Sequence, residues 1–403
     1  MNETYDENVP RSAACPGAAP ATGPRLGIIG GGQLARMTTI AAQQLGCDAV
    51  VLEKNRLSPA ATFASRSIIG DWNTMDALSE LAEQADVITL ENEFVDAHLL
   101  AGLEQAGHAV WPSSRTLALV QDKFTQKQAL EAAGLPVPRI RAAGSREDLI
   151  EAIGELGLPV VLKARRNAYD GRGNATIHDL AGVDEAWRRL GGDEGNPLFV
   201  EEFFKFSMEL AVIITRGQDG GHAIYPVVET IQKNHICHLV RAPATVPPEV
   251  AERASETACR AVEAVGAVGS FGVEMFLSDD GRVVINELAP RVHNSGHYTI
   301  EACACSQFEN HVRAVLGLPL GSTAMVAPAA AMVNLLGGFY TPGRAQGLDR
   351  ALLVPGAHVH LYGKAMCGVG RKMGHVTALG ASVAEAETAA AACASRITFG
   401  VHS

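Results

Sequence analysis

The sequence predicts an α/β protein: a doubly wound parallel-sheet domain, then a mixed-strand region, then a small strand-rich C-terminal domain. Short apolar runs alternate with helix-length segments over residues 25–115, the rhythm of strands joined by helical crossovers. Beyond Pro136 the texture changes to short strands in hairpin spacing, richest over Gly272–Glu287. The chain has 403 residues, 47% hydrophobic and 19% charged, enough to bury a real core. At roughly 150 residues per domain, that length suits two or three domains.

Residues 1–24 carry Glu3, Asp6 and Glu7 and then an Ala/Pro/Gly tract. This reads as a disordered extension, since a secretory leader wants a basic start and an apolar middle. Order begins at Arg25. Leu26–Ile29 is a strand, Gly30–Gly32 a tight turn, and Gln33–Leu45 a helix ended by Gly46. Further strands are expected at Ala49–Leu52, Asp86–Leu90 and His108–Trp111, completing a domain over 25–115. One helix is expected from Thr116 to a cap at Gly134, with Pro136 beyond it. Val160–Lys163, Phe199–Glu201 and Glu209–Thr215 read as strands, Leu318–Pro328 as a linker, and 328–403 as the C-terminal domain.

Acidic residues outnumber basic ones 44 to 33, for a net charge of −11. That argues against nucleic acid and anionic membranes as partners, so anionic ligands must meet local cationic clusters. The most apolar stretch, Ala324–Val333, contains Pro328 and is far shorter than a membrane span of about 18 residues. Eight scattered cysteines without a CxxC pair read as thiols of a reducing compartment, the cytoplasm.

The first turn can be written Gly30-x-Gly32-x-x-Ala35, with Glu53 at the end of the next strand. That spacing fits a dinucleotide site, another polar ligand at a helix N-terminus, or packing alone. The hairpin says more. A two-residue loop at Asp280-Gly281 would set Glu274 opposite Glu287. Opposed carboxylates repel unless a cation lies between them, and Mg2+ favours one or two carboxylates plus phosphate oxygens. Glutamates turned to solvent or to a basic side chain are the plainer alternative. Lys163 ends an apolar strand ahead of the loop Tyr169-Asp170-Gly171-Arg172-Gly173. A point charge beside glycine N–H donors suits phosphate, although a lysine snorkelling beside a surface turn would look the same. Neither a P-loop nor a protein-kinase motif occurs, so a nucleoside triphosphate must be held on another scaffold.

Lys163, the Tyr169–Gly173 loop, Glu201, the Glu274/Glu287 pair and the run Asn286-Glu-Leu-Ala-Pro-Arg-Val-His-Asn-Ser-Gly-His297 resemble the ATP-grasp ligases. The long run is similar to that of the N5-carboxyaminoimidazole ribonucleotide synthetase family of purine biosynthesis. Gly31-Gly-Gln-Leu34, Glu91-Asn-Glu93, Asp122-Lys-Phe-Thr-Gln-Lys-Gln128, His360-Leu-Tyr-Gly-Lys364 and Arg371-Lys-Met-Gly-His375 fit the same family in the same order.

The resemblance implies an ATP-grasp fold: a Rossmann-like preATP-grasp domain over 25–115, a two-lobed ATP-grasp domain over 116–320, and the C-terminal domain closing the site. It implies ATP-dependent carboxylation of 5-aminoimidazole ribonucleotide by bicarbonate through carboxyphosphate, in a homodimer using Mg2+, with Mn2+ as a substitute. Lys123 and Lys163 would touch the ATP phosphates, together with Tyr169, Asp170, Gly171, Arg172 and Gly173 of the loop. Glu201, Glu202, Phe203 and Phe204 would read the adenine edge, Glu209 the ribose, and Gln232 would stand beside them. Glu274 and Glu287, assisted by Asn286, would hold the metal. Gln33, Leu34, Glu91, Tyr169, Asp170 and Arg172 would face the ribonucleotide, with its phosphate near Lys364 and Arg371. Asp170, Arg172, Arg291 and His293 would be catalytic, the last two bordering the bicarbonate position. The alternatives are another ATP-grasp ligase, such as a formate-dependent glycinamide ribonucleotide transformylase or a biotin carboxylase, a nicotinamide oxidoreductase using the Gly30 turn, or a non-catalytic nucleotide sensor.

Overall fold

The computed structural model describes residues 23–166 and 173–400. Tyr169, Asp170, Gly171 and Arg172, and the expected extension up to residue 22, lie outside the described residues.

The N-terminal sheet is parallel throughout, in the order β3-β2-β1-β4-β5. Its strands are β1 (Arg25–Ile29), β2 (Asp48–Glu53), β3 (Arg66–Ile69), β4 (Val87–Leu90) and β5 (Val110–Trp111). The sequence reading lacks β3, and the reason is visible: Ile68 is its one buried residue, so no apolar run marks it. Helix α1 (Gln33–Gln44) covers one face, against Leu26, Ile28, Ala49 and Val51. Helices α2 (Met75–Ala82) and α3 (Ala97–Gln105) cover the other, against Ile29, Val50 and Leu52. The order reverses between β1 and β4, and the C-terminal ends of those strands deliver Gly30–Gly32 and Glu91–Glu93 to one crevice.

The single helix expected over 116–134 is two helices, α4 (Ser114–Gln121) and α5 (Lys123–Ala132). Asp122 breaks them. Its backbone is extended, its carboxylate caps α5 by accepting from the N–H groups of Phe124 and Thr125, and Arg165 grips it at 2.7–3.1 Å. Such a cap contributes about 1 kcal/mol, and here it also puts Lys123 at the first helical position.

A four-stranded antiparallel sheet follows, ordered β6-β9-β7-β8, from β6 (Ile140–Ala143), β7 (Val160–Ala164), β8 (Asn174–Ile177) and β9 (Leu198–Glu202). Helices α6 (Arg146–Leu156) and α7 (Val183–Arg189) close its separate core around Trp187.

The last sheet has nine strands. It comprises β10 (Met208–Arg216), β11 (His222–Ile224), β12 (Val228–Lys233), β13 (Ile236–Ala242), β14 (Gly269–Leu277), β15 (Val283–Ala289) and β16 (Ala329–Leu336), and is completed by β19 (Ala357–Leu361) and β21 (Lys372–Gly380). Two short ribbons pair β17 (Thr341–Pro342) with β20 (Met366–Cys367), and β18 (Ala345–Gln346) with β22 (Thr398–Phe399). The main path runs β15-β14-β10-β12-β13-β16-β21-β19. The C-terminal strands therefore extend the sheet of the preceding region through the β13–β16 pairing, across the boundary read near residue 328. Helix α8 (Pro248–Ala264) backs β10, β14 and β15. The short α9 (Thr299–Ala302) leads to α10 (Gln307–Val315), which lies between this sheet and α1. Helix α12 (Val383–Ala394) covers β16 and β21, and the short α11 (Leu348–Ala351) packs against it.

Candidate active site

A cavity of about 1550 Å³ opens where the three sheets meet. Of the site residues expected from the sequence and described in the structure, all line it except Gly173. Gly173 sits at the mouth of β7, at φ +93°, where its carbonyl accepts from the Ala164 N–H.

Glu274 and Glu287 do face each other across β14 and β15, by a different route from the one expected. The loop has three residues, 279–281, with Gly281 at φ +81° and its N–H donating to Ser278, so Ser278 rather than Asp279 faces Arg282. A bulge then places Asn286 as an extra residue between Ile285 and Glu287. The two one-residue offsets cancel. Burial and the neighbouring Glu287 carboxylate push Glu274 up. Burial would raise Glu287 too, but Lys123 Nζ at 2.5 Å, with help from Lys163, holds it well below the ordinary range. The pair thus accommodates one negative charge beside a lysine and resists a second. That donor set, two carboxylates and the Asn286 amide, is hard oxygen chemistry that fits Mg2+ sharing its shell with phosphate. Among the described residues no three His, Cys, Asp or Glu side chains gather as a metal cage, so a bound ion would depend on ligand oxygens as well.

Lys163 is buried on β7, with Nζ 2.5 Å from Glu201 Oε1. The other carboxylate oxygen meets Lys127 Nζ at 2.7 Å, and Lys127 is 2% exposed. Burial pushes Lys127 down to about 8 despite Glu201, while the two lysines outweigh burial and hold Glu201 below its usual range. The Glu201 carboxylate is therefore committed to lysines. Next to it, Phe206 stacks on Phe276 with centroids 4.3 Å apart, and Phe204 continues the stack at 6.3 Å, forming an apolar wall. Gln232 donates to Glu209 at 3.0 Å on the adjoining strands, and burial pushes Glu209 up.

The Gly30–Gly32 turn is already filled by protein. Glu53 accepts from the Gly31 N–H at 2.8 Å, and the Glu91 carboxylate lies so close to Gly32 that a Cβ there has no room. Two carboxylates stand where a dinucleotide pyrophosphate would need to lie, which removes the nicotinamide reading. Arg291 is held by Glu93 through a two-pronged ion pair, its Nη2 lying 3.1 Å from Oε1.

His293 follows Arg291 on the same loop. Its Nε2 is 3.4 Å from Glu274 Oε1, and its Nδ1 is 2.9 Å from the Ser295 hydroxyl. Burial, then Arg291 and Lys372, push it down to about 3, so the ring is neutral. On the opposite wall the C-terminal residues bring Lys364, Arg371 and Lys372. Lys364 Nζ donates to the Lys372 carbonyl at 2.7 Å, and Arg371 to that of Met366 at 2.8 Å. Tyr362, packed with Leu34 and Ala35, seats this segment against α1. A chain of net charge −11 thus gathers a local cationic wall.

Several wall or support residues have no role assigned in the sequence reading: Lys127, Glu93, Lys372 and Gln307. Lys127 stands four residues after Lys123 on one helix, a spacing that puts both on one face. Lys127, Glu93 and Lys372 lie inside motifs that carry the resemblance.

This geometry defines an ATP-grasp enzyme: a lysine-bearing antiparallel sheet facing a carboxylate pair across one cavity. Residues 128–308 match the ATP-grasp domain, 24–121 the ribonucleotide synthetase preATP-grasp domain, and 330–389 the phosphoribosylaminoimidazole carboxylase C-terminal domain. The chain is 43% identical over 353 residues to the N5-carboxyaminoimidazole ribonucleotide synthase of Synechococcus elongatus, covering 87% of this chain and 88% of that protein. It is 43% identical over 370 residues to the phosphoribosylaminoimidazole carboxylase of Ogataea methanolica, covering 90% of this chain but 67% of that protein. The crystal structure of the Aspergillus clavatus N5-carboxyaminoimidazole synthase with ADP and 5-aminoimidazole ribonucleotide superposes with a TM-score of 0.84 at 37% identity, covering 91% of this chain and 96% of that one. The chain belongs to the N5-carboxyaminoimidazole ribonucleotide synthase family.

Proposed function

We propose that this cavity binds ATP on the Lys163 side and 5-aminoimidazole ribonucleotide on the Gln33 side, with bicarbonate as the carboxyl donor between them. The reaction is the family's: ATP-dependent carboxylation of 5-aminoimidazole ribonucleotide to N5-carboxyaminoimidazole ribonucleotide. The observation that carries the arrangement is the meeting, in one cavity, of the opposed carboxylates Glu274 and Glu287, the latter paired with Lys123, with a separate cationic wall at Lys364 and Arg371.

Lys123 and Lys163 take the triphosphate, adding phosphate oxygens to their present carboxylate partners. Phosphoryl transfer asks chiefly for such positioning and charge neutralisation. With Glu201 committed to lysines, the adenine edge falls to the backbone from Glu202 to Phe204, against the phenylalanine wall, and Glu209 with Gln232 takes the ribose. Glu274, Glu287 and Asn286 would hold magnesium, which would neutralise charge on the phosphates. Bicarbonate attacks the terminal phosphorus, releasing ADP and forming carboxyphosphate. The substrate amine then attacks the carboxyl carbon, releasing phosphate and a proton. Arg291, fixed by Glu93, faces the bicarbonate. The Ser295 hydroxyl already meets Nδ1 of His293, and burial disfavours the charged ring, which favours a ring that orients the reacting groups over one that takes the proton. Gln33, Leu34 and Glu91 border the imidazole end, and Lys364 and Arg371 the ribonucleotide phosphate. Asp170 and Arg172 keep their expected role toward the substrate, and a homodimer is the expected assembly. Among the described residues no helix is long and apolar enough to cross a membrane, and the cytoplasm remains the expected site of action.

The test is ADP release with Mg2+ and ATP, adding bicarbonate and the ribonucleotide separately and together. Release requiring both supports the reading. Release that ignores bicarbonate, or that proceeds equally with formate and another amine, sinks it.

A further inference from the structure

Gln307 is fully buried at the start of α10 and lies off the cavity wall. Its side-chain oxygen accepts from the His293 N–H at 2.9 Å, and its side-chain nitrogen donates to the His293 carbonyl at 2.7 Å. One amide therefore gives His293 both hydrogen bonds that a neighbouring strand would supply, although His293 lies past the end of β15. The same nitrogen is 3.2 Å from His297 Nδ1. The fit is close: a Cβ on Gly296 would come 2.6 Å from Gln307 Oε1, and one on Gly272 would come 2.6 Å from His293 Cβ. His293 is thus held between β14 on one side and the Gln307 amide on the other.

One turn further along the same helix face, His311 is also buried. Its Nδ1 accepts from the Ser270 N–H at 3.0 Å, and its Nε2 meets the Thr89 hydroxyl at 2.8 Å. Ser270 lies on the strand that carries Glu274, and Thr89 on the strand that leads to Glu91 and Glu93. A single helix therefore ties the loop of His293 to the two strands bearing carboxylates of the site.

We propose that Gln307 is a positioning residue for the carboxyl-transfer half of the reaction, acting through His293; this rests on the reading of His293 as a group that orients the reacting centre. An apolar side chain at 307 leaves the buried His293 N–H without a partner and its carbonyl with the Gly296 N–H alone, so the loop must shift to find others. A shift of about 1 Å at a reacting centre costs on the order of a hundredfold in rate. The nucleotide side of the cavity, on β7, β9 and β10, is untouched.

The experiment is a double-mutant cycle on the full chain, with Gln307→Met and His293→Ala alone and combined, reading kcat for ADP release, the Kd for ATP, and Tm. Gln307→Met should lower kcat by about ten- to a hundredfold while ATP Kd stays within about twofold. In the His293→Ala background the same substitution should lower kcat by less than about threefold, because coupled sites are not additive. A full, additive loss in that background, or a wild-type kcat for Gln307→Met, overturns the proposal. His293→Ala with wild-type kcat instead overturns the role of His293 itself, so the two failures are distinguishable. If Gln307→Met does not fold, Gln307→Asn carries the same cycle: it keeps a neutral amide but withdraws it by one methylene from His293, and should give a smaller but equally non-additive loss.

Discussion

Replacing Gly272 by alanine probes the same ring from the strand side. Gly272 pairs with Ile213 on one side and Ala289 on the other, so β14 cannot back away without breaking two ladders. Its φ lies outside the left-handed region, so alanine suits the backbone and space is the only obstacle. The new methyl would lie 2.6 Å from His293 Cβ and Cγ. Carbon atoms pack at about 3.5–4.0 Å, so the His293 loop must retreat by about 1 Å. A displacement of that size costs roughly a hundredfold in rate, or ~2.7 kcal/mol of barrier. Overpacking should cost about 1–3 kcal/mol of stability, visible as a drop of a few degrees in Tm. The assay is steady-state ADP release at saturating ribonucleotide and bicarbonate, with the KM for ATP measured alongside. The expected result is kcat down about a hundredfold with the ATP KM within about twofold. A kcat within about threefold of wild type at unchanged Tm would show that the loop absorbs the methyl freely, and the argument from close contact would be wrong.

Three further outcomes follow from the site. Glu287→Gln should abolish magnesium-dependent turnover with little change in Tm, since it removes a like charge from Glu274 as well as the partner of Lys123; activity within about threefold at saturating magnesium would show that Glu287 is no ligand. Lys364→Ala and Arg371→Ala should raise the KM for the ribonucleotide and spare that for ATP, because they lie on the wall away from Lys163; a change confined to ATP would reassign that wall. His311 is pushed down to about 4 by burial, so between pH 4 and 6.5 the unfolded chain binds a proton that the native state refuses, and stability falls as pH drops through that window. The loss is on the order of 3 kcal/mol of stability by pH 4; His311→Gln should flatten the acid limb of Tm against pH, and an unchanged limb would show that other groups set it.

The opposed glutamates were legible because side-chain alternation along a hairpin needs only a turn position. The turn was misjudged, however, and a bulge at Asn286 that no residue type announces restored the pair. Lys163 was legible as a cation in an apolar strand. Lys127 was not, because its meaning depends on Glu201, 74 positions away and on another element. Gln307 was invisible for a related reason: an amide in the sequence gives no hint that it will substitute for a strand. The break at Asp122 was missed because helix-forming residues flank it on both sides, and the Arg165 contact that secures the corner is tertiary.

The continuous nine-stranded sheet has a consequence for what can be inherited or exchanged. The boundary near residue 328 divides a sheet, with Leu239–Ala242 of β13 paired to Ala330–Val333 of β16. A chain ending there would leave the outer N–H and C=O groups of β13 open, a template for edge-to-edge aggregation. The C-terminal residues are therefore no interchangeable cassette. A truncation near residue 328 that removes Lys364 and Arg371 also uncovers an edge of the sheet that carries Glu274 and Glu287, so the cationic wall cannot be cut away without exposing the strands behind the other end of the cavity.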